Sequence, residues 1–178
     1  LFVVAGMLTL LVHEFGHALT GRATGALVVL AGPLATLVLG ALLGLAFGLQ
    51  LGNAWLGLRL AFLLPWVETL PLELQQQLMV GLYTHSVPEL LVQFYVVGMS
   101  ICFWWGLFNL LPIFPLDGGR LLGSVINNYA VPCVIGLVLS AGLAIWALVE
   151  AQWLNVMILG YLGFINWQYL AVFRRSGK

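Results

Sequence analysis

Residues 1–19 read LFVVAGMLTLLVHEFGHAL, an apolar run of membrane-span length with three ionisable side chains near its end. Runs of about 20 apolar residues match the hydrocarbon thickness of a bilayer. Within this run, His13-Glu14-Phe15-Gly16-His17 is an HExxH pattern. On a helix the two imidazoles stand one turn apart on the same face, with a carboxylate between them. In a soluble protein that pattern indicates a hydrolytic zinc site. A Glu at bilayer depth costs about 2.5 kcal/mol or more on insertion scales, so ionisable groups retained there are functional by default. The bland alternative is a polar cluster that glues helices together. With only three His and six acidic residues in the chain, such a cluster rarely takes this spacing.

The rest of the composition agrees with a membrane setting. Of 178 residues, 62% are hydrophobic and 7% charged, and the mean hydropathy is +1.09. Soluble domains carry roughly 25% charged residues. The period-2 alternation of a transmembrane barrel is absent, so the expected fold is an all-α integral membrane protein. The expectation is a polytopic bundle of about five to six transmembrane helices in a single domain, 1–178. Zero formal net charge leaves no basic footprint for nucleic acid. Cys102 and Cys133 lie in apolar segments and read as small buried hydrophobes. The chain opens on Leu1, and a preceding segment is expected.

Five spans follow from hydropathy, at about 1–19, 26–50, 90–111, 131–149 and 153–173. Ala54–Val67 is apolar but short, carries Arg59 and is ended by Pro65, so it reads as a re-entrant or interfacial helix, or half a hairpin. Pro71–Gln77 is polar and reads as exposed. If the spans alternate, Arg22, Arg120, Arg174, Arg175 and Lys178 fall on one side. Glu68, Glu73, Glu89 and Glu150 fall on the other, with Arg59 the exception. The positive-inside rule puts the basic side and the C-terminus in the cytoplasm. Trp55, Trp66 and Trp153 sit at expected outer ends as interface anchors, whereas Trp104 and Trp105 read as packing. His85, in the outer segment, reads as a surface or interface residue.

Catalytic zinc takes three protein ligands and keeps one position open. The remaining acid with suitable surroundings is Asp117, after the helix-breaking run Pro112-Ile113-Phe114-Pro115 and before Gly118-Gly119. Non-helical backbone at membrane depth is tolerated only inside protein or beside a wet cavity. Asp117 alone would read as a loop carboxylate, since Asp-Gly is common turn chemistry. Depth argues otherwise. His17 lies five residues before Arg22, about 8 Å of helix. Asp117 lies three before Arg120, so both motifs sit near the same side.

Three motifs occur in order: HExxH, then Gly32-Pro33-Leu34-Ala35, then Asn109-x-x-Pro-x-x-Pro-Leu-Asp-Gly. Together they resemble the site-2 protease family of intramembrane zinc metalloproteases. The likeness covers about 1–120, which would form a three-helix catalytic core, with accessory helices at about 131–173. It looks closest to bacterial members that process sporulation factors, which implies a bacterial inner membrane and an active site toward the cytoplasm. The resemblance implies one Zn2+ per chain on His13, His17 and Asp117, and Glu14 as the catalytic glutamate. Asn109 matches the Asn that opens the third motif, with support of substrate or developing charge as its expected role. The family often has Asn shortly after Gly-Pro, and Thr36 stands there here, with the same substrate or oxyanion support expected of it. No PDZ-like segment and no nucleotide-binding regulatory segment is legible.

The expected chemistry is hydrolysis of a peptide bond within or near a transmembrane segment of a membrane-protein substrate. Zinc activates a water, and Glu14 moves its proton to the leaving amine. The rival readings are a non-proteolytic membrane metal-binding or metal-transport protein and an inactive family member. A transporter would want polar residues leading across the whole membrane. The last two spans offer little beyond Asn155, Asn166 and Gln168, and the intact Glu14 argues against an inactive chain.

Overall fold

A computed structural model describes residues 1–20, 26–63 and 70–176. Arg22, Pro65, Trp66, Glu68 and Lys178, used above to orient the chain or to end a span, lie outside the described residues, as does the side chain of Arg175. The protein is all-helical, and the described helices run α1 Phe2–Leu19, α2 Ala26–Gln50, α3 Ala54–Leu63, α4 Leu72–His85, α5 Glu89–Asn109, α6 Asp117–Ile126, α7 Ala130–Val149 and α8 Trp153–Ser176. Five of them, α1, α2, α5, α7 and α8, are long and apolar enough to cross a membrane. Between 17% and 28% of each span is buried within the chain. The architecture is that of a polytopic helical membrane protein, and the five spans coincide with the hydropathy reading to within a few residues.

Chain contacts divide the molecule into two compact units, Leu1–Leu19 with Ala31–Leu107, and Thr20–Leu30 with Phe108–Lys178. In the first, glycines set how closely the helices approach. A Cβ at Gly16 of α1 would collide with the Ala31 carbonyl of α2 and come within 2.9 Å of the Ala35 Cβ. A Cβ at Gly57 of α3 would collide with the backbone of Gly44 and Gly48 in α2. Small residues at such positions let helices in lipid gain dispersion contact where the hydrophobic effect offers little. The α2–α3 turn is closed by Gly52 at φ +73°, and Asn53 Oδ1 caps α3 by accepting from the Leu56 N–H at 3.0 Å. The core of this unit gathers Phe47, Leu60, Leu74, Tyr95 and Met99. Tyr95 stacks on Phe47 at 5.1 Å and accepts from Gln50 Nε2 at 3.0 Å.

Two helices add to the sequence reading, and Pro71, Leu72, Glu73, Gln75 and Gln76 are exposed as expected. The polar stretch from Pro71 is the start of α4, which buries Leu74 and Gly81 and half-buries Leu78 and Leu82. Those spacings give one apolar stripe, which a glutamine-rich sequence disguised. His85 ends α4 exposed, its Nδ1 3.2 Å from the Gly81 carbonyl and its ring against Gly52. The second is α6. Asp117, Gly118 and Gly119 form its buried first turn rather than a loop.

In the second unit α7 and α8 pack along their lengths, and Phe114 inserts into an aromatic cluster with Tyr129, Tyr169 and Phe173. Both cysteines are buried free thiols.

Candidate metal centre

The site grows from the contact between α1 and α2. With Gly16 letting the two backbones close, the histidine face of α1 lies on the Gly32–Thr36 turn of α2. A Cβ at Gly32 would collide with His17 Nε2 and stand 2.8 Å from His13 Nε2. Gly32 therefore leaves open the space into which both ring nitrogens point. The two Nε2 atoms are 3.3 Å apart. Two nitrogens held tetrahedrally at 2.0–2.1 Å from one zinc are separated by about 3.3 Å, so the pair fits a shared ion without rearrangement.

Thr36 determines which nitrogen His13 offers. Its hydroxyl donates to the Gly32 carbonyl at 2.8 Å and lies 3.4 Å from His13 Nδ1. A hydroxyl has one proton, and it is already given to the carbonyl. The remaining contact then requires Nδ1–H to donate to Oγ1, leaving Nε2 with its lone pair for a ligand. Thr36 has no exposed surface. Thr36, which the sequence reads as substrate or oxyanion support, has its hydroxyl against a histidine. Trp105 stands edge-on to His13 with ring centroids 6.5 Å apart.

Asp117 is the first residue of α6, 6% exposed, with Leu116 as the extended N-cap. A Cβ at Gly118 would collide with the backbone of Leu110 and Leu111. One at Gly119 would stand 2.7–2.8 Å from that of Ile113 and Phe114. The Gly-Gly pair thus allows the irregular 110–116 segment to lie directly on the first turn of α6. Both glycines serve close approach, not turn geometry.

One nitrogen from each of His13 and His17 and a carboxylate oxygen of Asp117 lie within 4.8 Å of one another, a group able to hold a metal ion. Two imidazoles and a carboxylate are a donor set for catalytic zinc, and His13 and Asp117 are both buried. Glu14 is exposed on α1, on the turn between the histidines. Asn109 is the buried last residue of α5. Gly32 and the hydroxyl of Thr36 do work that no donor count could reveal, because a glycine offers no ligand atom.

No protein-family model, curated protein or solved structure matches this chain.

Proposed function

We propose that the chain is an intramembrane zinc metalloprotease that hydrolyses a peptide bond within or near a transmembrane segment of a membrane-protein substrate. One observation carries this reading. Ligand atoms of His13, His17 and Asp117 lie within 4.8 Å on and beside a helix of membrane-span length, with an accessible carboxylate next to His13 in sequence. His13, His17 and Asp117 would hold one Zn2+. When bound, zinc supplies a Lewis acid for the scissile carbonyl and activates a water. Glu14 accepts that water's proton and returns it to the departing amine. Asn109 supports the substrate or its developing charge. A substrate helix keeps its carbonyls in its own hydrogen bonds, so it must unwind locally before attack, and small or helix-breaking residues at the cut site help.

The basic residues of the sequence put the site and the C-terminus on the cytoplasmic side, and the resemblance to bacterial members implies a bacterial inner membrane. Water enters from there, and soluble fragments leave there.

Elemental analysis of the detergent-purified chain tests the site. About one zinc per chain is expected, lost in Asp117→Ala. Glu14→Gln should keep the zinc and abolish cleavage of a reporter membrane substrate. A folded parent without zinc, or an Asp117→Ala variant with full zinc, would end the reading. A Glu14→Gln variant that still moves metal across vesicles but never cleaves would point to a transporter.

A further inference from the structure

Asn166 is an amide in the middle of a membrane-spanning helix, and it has no exposed surface. Burying an amide without partners costs several kcal/mol, so its contacts indicate why it is there. Its Oδ1 accepts from the Phe114 N–H at 3.1 Å, and its Nδ2 donates to the Phe114 carbonyl at 2.7 Å. A third bond goes to the Leu162 carbonyl at 2.7 Å, within its own helix. The side chain thus pairs with both backbone groups of one residue, as a neighbouring strand would. That residue lies in the helix-free break between α5 and α6, three positions before Asp117. Gly136 of α7 keeps space for the pairing, since a Cβ there would collide with Asn166 Oδ1. On its other side, the Phe114 backbone abuts Gly119 of α6. Phe114 is therefore fixed through its main chain from α6 and α8, and only two residues separate it from the carboxylate.

A leucine branches in the same way and has no polar atoms to satisfy, so it costs less to bury in an apolar span. The amide is explained if the break must be held in one geometry. We propose that Asn166, given room by Gly136, is a positioning residue that fixes the Asp117 carboxylate through the Phe114 backbone. The inference rests on the reading of Asp117 as a metal ligand.

The test uses the purified full chain in detergent, with Zn2+ affinity measured by chelator competition and the Co2+ form followed by visible absorption. Asn166→Leu removes all three hydrogen bonds. Gly136→Ala displaces the amide without altering it. Asn166→Asp keeps an acceptor for the Phe114 N–H and loses both donors. Weaker zinc binding by roughly 10- to 100-fold is expected for Asn166→Leu and Gly136→Ala, with a smaller loss in Asn166→Asp. The Co2+ spectrum should change with it, while Asn155→Leu, elsewhere on α8, leaves both unchanged. A lower melting temperature with parental zinc affinity and an unaltered Co2+ spectrum, in any folded variant of the three, would make Asn166 merely structural and overturn the proposal. If the parent binds no metal, the metal centre itself fails. If Asp117→Ala loses zinc while the Asn166 and Gly136 variants hold it, only this inference fails.

Discussion

A methyl group at residue 32 would point between the Nε2 atoms of His13 and His17, into the space an ion must occupy. Gly32→Ala is therefore expected to abolish zinc binding, although Ala suits a helix better than Gly by about 1 kcal/mol and should not unfold it. Thr36→Val differs in kind. It keeps the volume and removes the acceptor for His13 Nδ1–H, so the ring loses its preferred tautomer and orientation. Zinc affinity should fall by roughly 10- to 100-fold without vanishing. Elemental analysis of the two variants beside the parent separates a blocked site from a loosened one. Equal zinc content in Gly32→Ala and the parent would show that the ion does not use this space. The donors His13, His17 and Asp117 were legible in the sequence, because ionisable groups stand out in an apolar chain. Gly32 and Asn166 were not, because their roles depend on what faces them in space.

Among the elements, α3 packs main chain to main chain on α2, at Gly57 against Gly44 and Gly48. Both sides of that contact are main chain, so no side-chain movement can relieve a larger residue. Gly57→Ala should destabilise the fold by about 1–3 kcal/mol, read as a lower melting temperature. The histidines do not take part in this contact, so zinc affinity in the folded variant should match the parent. A Gly57→Ala variant that melts with the parent would mean that the hairpin opens at little cost. Hydropathy made the long spans legible, since bilayer thickness imposes their length and composition. It could not reveal α4, whose apolar stripe is diluted by glutamines. Nor could it reveal α6, whose Asp-Gly-Gly start has the composition of a turn and becomes helical because the 110–116 backbone packs onto it.

Across the whole molecule, ionisable groups are few, and His13 and Asp117 are two of the seven buried polar or charged side chains among the described residues. In the most apolar stretch of each span, 17–28% of the residues are buried. Many large apolar side chains, Phe2, Leu27, Leu90, Val138 and Met157 among them, are left to whatever surrounds the chain. A soluble protein brings its own oil and depends on water to hold the oil together. This chain has a thin interior, and its stability is shared with its amphiphile. At constant headgroup, its melting temperature should climb as the detergent's alkyl chain approaches bilayer half-thickness, and short-chain detergents should loosen the helix contacts first. A melting temperature indifferent to alkyl length would mean that the glycine contacts alone hold the helices together. The protein's effective solvent is then a reagent to be chosen, and the choice of detergent becomes part of any measurement of its metal affinity.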